Sequence, residues 1–146
     1  MNVEETLKKA GLRLTNTRKA VLAAFMESQK ALSHNDLEQK LNNCDKVTLY
    51  RTLSTFLEKD LIHKIINPDG AALFALCKHE PMHSLKEHYQ LHNHAHLTCK
   101  VCKETRCIND FEVEIPKYLL MNMQIEEVSI LLQGTCSNCI KTENRV

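Results

Sequence analysis

Two CxxC pairs, Cys99-Lys-Val-Cys102 and Cys136-Ser-Asn-Cys139, constrain this chain more than any other feature. Each pair can turn two thiolates toward one ion, and two such pairs complete a tetrahedral four-thiolate zinc site. Such a site has no open coordination position, so it stabilises a fold and does not catalyse. The 33 residues between the pairs are more than a compact zinc ribbon needs, so that interval must carry secondary structure. Thr105–Ile108 and Gln124–Gln133 have strand character, and a helix is expected from near Pro116 through Tyr118, Leu119 and Leu120. The zinc then staples a small α/β domain whose own core would be thin.

Other uses of the cysteines fit less well. A thioredoxin-like redox pair opens a helix in a βαβ unit, whereas both pairs here follow strand-like runs. Structural disulfides belong to oxidising compartments. The start of the chain, MNVEETLKKAGL, lacks the basic residues and apolar run of a secretory signal, so a cytoplasmic protein is expected. No apolar run approaches the ~20 residues of a membrane span, and no membrane partner is expected. Cys44, Cys77 and Cys107 are left over, and the expectation for them is the role of small buried hydrophobes.

The first half is helical. Leu7 and Ala10 mark a short helix stopped at Gly11, and Thr15 caps a second with Val21, Leu22, Phe25 and Met26 on one face. Ser33 and Asp36 have capping-box spacing ahead of a third, whose Leu37 and Leu41 sit at i and i+4. In the fourth segment, DKVTLYRTLSTFLEKD (45–60), Leu49, Leu53, Phe56 and Leu57 form one apolar stripe. Thr48, Arg51, Thr52 and Thr55 occupy the opposite face, with Tyr50 at the boundary. A face without acidic groups that offers hydroxyls, a guanidinium and a phenol suits a helix in the major groove of DNA. Two strand-like runs then flank Asn67-Pro68-Asp69-Gly70, whose residue types favour a tight turn.

Helices followed by a hairpin are the order of a winged helix-turn-helix. The run KKAGLRLTNTRK (8–19) has five positive charges and no negative one in a chain of net charge +1, and would hold phosphates beside that helix. The expected fold class is therefore α+β: a winged-helix DNA-binding domain over 1–78, a His-rich connection over 79–95, and a zinc-stapled α/β dimerisation domain over 96–146. Double-stranded DNA is the expected partner. Winged helices that read DNA commonly act as two-fold dimers, which predicts a homodimer on an inverted-repeat operator.

Six of the eight histidines fall between positions 79 and 96. In an extended segment His92, His94 and His96 project to one side, which would present several imidazoles to one ion. His79, His83 and His88 stand nearby. A second divalent metal is expected on two or three of His92, His94 and His96, with His79 and His83 as further candidates; imidazole and carboxylate donors suit zinc, iron, nickel or manganese and do not choose among them.

On the motifs KKAGLRLTNTRKAVL, VTLYRTLSTFLEKDLI, HNHAHLTCKVC and GTCSNC, the chain resembles, nearly end to end, the ferric uptake regulator (Fur) family of dimeric, metal-dependent bacterial repressors. The resemblance implies structural zinc on Cys99, Cys102, Cys136 and Cys139. It also implies DNA contacts from Arg13, Thr48, Tyr50, Arg51 and Thr52. The family's inter-domain regulatory metal usually takes a histidine from the DNA-binding domain, a glutamate after the wing and two later histidines. His94 and His96 match the last two; Ala31 stands at the first position, with His34 three residues on, and Ala75 at the second. A further family site meets Ala95 and Val128 here, with Glu112 or Glu114 as its glutamate.

Two accounts follow. The histidine-rich segment, longer than is usual for the family, rebuilds a sensory site with His79 or His83. Alternatively the chain has lost metal sensing and answers to heme, redox state or another signal. A zinc hydrolase built on the histidines is disfavoured by the absence of HExxH or a comparable motif, so the chain is not expected to be an enzyme. A zinc-ribbon adaptor for protein partners would leave the groups on segment 45–60 without a use.

Overall fold

The computed structural model describes residues 2–42, 44–77, 95–108, 116–122 and 128–143. The chain divides into two compact units, residues 1–83 and 84–146.

The first unit opens with α1 (Val3–Lys9), where the Asn2 side chain accepts from the Glu4 and Glu5 amides. Glutamates in its first turn and lysines in its last follow the helix dipole. It stops because Gly11 takes a φ of +69° and lets the Leu12 amide reach back to the Leu7 carbonyl at 2.9 Å. Thr15 caps α2 (Asn16–Glu27). The two-residue strand β1 (Leu32–Ser33) leads into α3 (His34–Lys40), where Ser33 and Asp36 close a reciprocal capping box. Asp45 caps α4 (Lys46–Glu58).

The wing follows. Strands β2 (Ile62–Ile66) and β3 (Ala72–Leu76) pair antiparallel, from Ile62 opposite Leu76 to Ile66 opposite Ala72. Their connection turns on Gly70 at φ +83°, with the Gly70 amide bonded to the Asn67 carbonyl. Strand β1 joins the free edge of β3, so the sheet order is β1-β3-β2. A two-residue strand carries no periodicity, and sequence patterning does not reveal it.

Leu7, Val21, Leu22, Phe25, Leu32, Leu37, Leu49, Leu53, Phe56 and Ile62 form one core in which α1, α3, α4 and the wing meet α2. Four apolar stripes thus converge, and the burial of ten large side chains at roughly 1.5–3 kcal/mol each holds the unit together. The stripe on α4 is rotated from its sequence reading. Leu57 is half-buried, while Thr52 is only 6% exposed, because the helix turns its Leu49–Thr52–Leu53–Phe56 side inward.

The second unit has a three-stranded sheet in the order β5-β4-β6. Central β4 (Ala95–Cys99) pairs antiparallel with β5 (Thr105–Ile108) and parallel with β6 (Leu131–Gly134). Helix α5 (Lys117–Asn122) precedes β6, and α6 (Ser137–Glu143) follows it. The strand expected over Gln124–Gln133 is shorter among the described residues: 128–130 are irregular, and pairing begins where Leu131 meets His96. Its extent is set by its partner, which is only five residues long. The second CxxC also differs from expectation, since Cys136 stands immediately before α6 and Cys139 lies inside it. Among the described residues no helix is long and apolar enough to cross a membrane.

Candidate functional site

The knuckle that follows β4 and the turn that follows β6 bring four sulfurs together. Cys99 ends β4, Cys102 lies in the tight turn before β5, and Cys136 and Cys139 straddle the start of α6. Their Sγ atoms all lie within 4.8 Å of one another, and Cys102 Sγ is 3.9 Å from Cys136 Sγ. A tetrahedral zinc with bonds of about 2.3 Å requires sulfur–sulfur edges of about 3.8 Å, so the donor set fits that ion.

The electrostatics agree. Amides of Cys136 and Cys102 point at Cys99 Sγ, the former at 3.3 Å, and lower that thiol from 9.0 to about 6. Hydrogen bonding to Cys136 and burial push Cys139 up to about 12, and Cys102 is also raised. Four neighbouring thiols cannot all ionise unaided. A divalent cation supplies the missing charge and displaces the protons.

In the first unit, the basic run and α4 share one surface. Arg13, Thr15, Thr17, Arg18, Thr48, Arg51, Thr52 and Thr55 line a single open concavity that contains no acidic side chain. Arg18 donates to the Arg13 carbonyl at 3.0 Å, which ties the loop before α2 to the helix. The threonines differ from their sequence reading. Thr48 donates its hydroxyl to Asp45 Oδ2, Thr52 to the Thr48 carbonyl at 2.8 Å, and Thr55 to the Arg51 carbonyl. Their hydroxyl protons are spent on acceptors within the helix and its cap. The cationic donors in the concavity are Arg13, Arg18 and Arg51. Tyr50 is 67% exposed and Val47 is 56% exposed on the outer side of α4. Val47 was invisible as a surface residue in the sequence, where an apolar side chain reads as core.

The histidine positions are divided. His79, His83, His92 and His94 lie outside the described residues. His96 is buried on β4 directly opposite Cys107 of β5, with their ligand atoms within 4.8 Å of each other. Thr98 and Thr105 continue that buried face, with their hydroxyls 2.9 Å apart. In the first unit His63 Nδ1 stands 3.4 Å from Cys77 Sγ across the wing. His34 pairs with Glu38 at 3.0 Å at the start of α3, while Ala31 and Ala75 are buried. Cys44, Cys77 and Cys107 are all half-buried, so full burial does not describe them; only Cys44 packs against the apolar core, and the other two stand beside imidazoles.

The family model of the ferric uptake regulator family matches residues 9–133. The peroxide operon regulator of Bacillus subtilis is 27% identical over 150 residues, covering 96% of this chain and 92% of the relative. The zinc uptake regulation protein of Mycobacterium tuberculosis is 27% identical over 139 residues, covering 89% of this chain and 96% of the relative. Among solved structures, a zinc uptake regulator complexed with zinc and DNA superposes with a TM-score of 0.63 at 21% identity, covering 97% of this chain and 92% of that one.

Proposed function

The chain belongs to the ferric uptake regulator family, and on that premise we propose that it is a DNA-binding transcriptional repressor. It works as a homodimer on an inverted-repeat operator and controls metal-homeostasis or stress genes in response to a divalent metal. One observation carries the reading: the arginines of the basic run and the outer groups of α4 line the same acid-free concavity. Arg13 and Arg51 in the concavity and exposed Tyr50 on the outer side of α4 are the DNA donors, and Thr48 and Thr52 line the same concavity. Structural zinc sits on Cys99, Cys102, Cys136 and Cys139, where it holds the second unit in shape. The division into a DNA-binding domain (1–78), a connection (79–95) and a dimerisation domain (96–146) is part of this reading. Tyr118 and Met121, both exposed and one turn apart on α5, support self-association. The role is regulatory, with no chemical step.

His94 and His96 are the proposed ligands of the regulatory metal, with His92, His79 and His83 available to complete it. A second reading, in which the chain has lost metal sensing and answers to heme or redox state, is favoured by Ala31 and Ala75 at the positions where the family keeps ligands.

The test is fluorescence anisotropy on DNA from the chain's own promoter region, with the structural zinc in place. Zinc, iron(II) or manganese is added in turn. Metal-dependent affinity that His94→Ala and His96→Ala both abolish is the expected result. Operator affinity that is the same with and without every metal would reject metal control and favour the second reading.

A further inference from the structure

The first turn of α4 carries an apolar side chain that the fold does not use. Val47 is 56% exposed, and with Tyr50 it makes up the large hydrophobic side chains exposed on that helix. Packing does not call for it, since the helix builds the core from Leu49, Leu53 and Phe56. Helix propensity does not call for it either: a β-branched side chain loses χ1 freedom in a helix, and Ala, Lys or Glu would serve better at a solvent position. Its polar neighbours are engaged. Asp45 Oδ2 accepts from the Thr48 amide and hydroxyl, and Lys46 pairs with Glu38 of α3 at 3.3 Å.

Val47 lies three residues before Tyr50 and four before Arg51, so the three are neighbours on the helix surface. Arg51 lines the acid-free concavity with Arg13 and Arg18. Val47 thus adjoins the proposed DNA surface and stands at the N-terminal end of α4, the end by which a recognition helix meets base edges. An isopropyl group neither donates nor accepts a hydrogen bond. The apolar feature that base pairs present in the major groove is the C5 methyl of thymine. We infer that Val47 is a specificity-determining residue that packs against a thymine methyl of the operator. The inference rests on the reading above that α4 lies against DNA. The stiff χ1 of valine leaves little side-chain freedom to lose on contact. A cytosine at the same place would set its N4 amino group against the isopropyl group, where it loses water and gains no acceptor. Val47 therefore selects thymine over cytosine, a distinction that phosphate contacts do not make.

The experiment uses the full chain with the four-cysteine site filled, on DNA from its own promoter region, with zinc, iron(II) or manganese present. Footprinting locates the protected segment, and duplexes of it are made with each thymine in turn replaced by uracil. Uracil keeps the pairing and the groove's acceptors and deletes only the methyl. Anisotropy should show about fourfold weaker binding of the wild type when the contacted thymine of one half-site is replaced, the loss expected of one buried methyl. Val47→Ala, a change that favours the helix, should bind the thymine duplex less tightly and be indifferent to uracil at that position, while uracil elsewhere acts on both proteins alike. A wild type indifferent to uracil throughout, or a Val47→Ala that responds as the wild type does at every position, overturns the Val47 assignment and leaves DNA binding standing. Protection of no segment under any metal overturns both.

Discussion

Arg51 projects from the exposed side of α4 into the concavity that also holds Arg13 and Arg18. A guanidinium in that position contacts phosphates or guanine edges, so Arg51→Ala should weaken DNA binding. If the contact is to phosphate, the loss is nearly uniform across sequences and the slope of log affinity against log salt falls by about one; if it is to a base, the loss is about 1–3 kcal/mol and confined to one operator position. Anisotropy titrations at several salt concentrations distinguish these outcomes, and unchanged affinity would remove Arg51 from the interface. The thiols make a second residue-level prediction. Amides hold Cys99 near 6 while Cys102 and Cys139 are raised, so zinc must displace protons from at least those two at neutral pH. Zinc affinity measured against a competing chelator should rise with pH between 6 and 8, by more than one proton per ion. A flat profile would contradict the four-thiolate assignment. Residue identity in the sequence pointed to both sites, but not to the role of each group. Thr52 has the spacing of a surface residue and is buried, because α4 is rolled toward α2 and the wing, and that roll depends on the packing of several elements at once.

The helices end by recognisable local rules, and two of these can be tested. After α4, Asp60 takes a φ of 52° so that the Leu61 amide can reach the Phe56 carbonyl at 3.0 Å. The same geometry after α1 is supplied by Gly11 without a Cβ penalty. Asp60→Gly should therefore raise stability by about 0.5–1 kcal/mol, read as a shift in urea midpoint at constant slope. Before α3, the Asp36 carboxylate accepts from the Ser33 amide at 2.7 Å and hydroxyl at 2.6 Å. Burial pushes this carboxyl up, but the Ser33 bonds outweigh it and hold it below 3.8. A depressed folded value means the stabilisation is present above pH ~4 and fades as acid protonates the group. Asp36→Asn should thus be destabilised relative to wild type at pH 7 and approach it near pH 3, in urea titrations at both pH values. Capping signals such as Ser33–Asp36 were legible because every partner lies within one turn. Strand β1 was not, since its only reason to be extended is β3, some forty residues downstream.

On the scale of the whole molecule, the two units differ in what stabilises them. The large apolar core belongs to the first, whereas the buried apolar side chains described in the second are Ala95 and Cys99, beside polar His96, Thr98 and Thr105. Zinc removal by a strong chelator under reducing conditions should therefore unfold the second unit and leave the first helical. Amide exchange would show protection lost on β4–β6 and kept on α2 and α4; loss of both together, or of neither, would contradict this division of stability. The sequence by itself determined the parts that depend on near neighbours: the helix caps, the amphipathic stripes, the Asn67–Gly70 turn and the four thiols whose spacing demands one ion. Only the tertiary structure decided how far α4 is rolled, which buries Thr52 and leaves Leu57 half-buried, and that Cys107 stands opposite His96. Sheet register has that power because side chains alternate with period two, and a slip of one residue would exchange every partner for one on the other face.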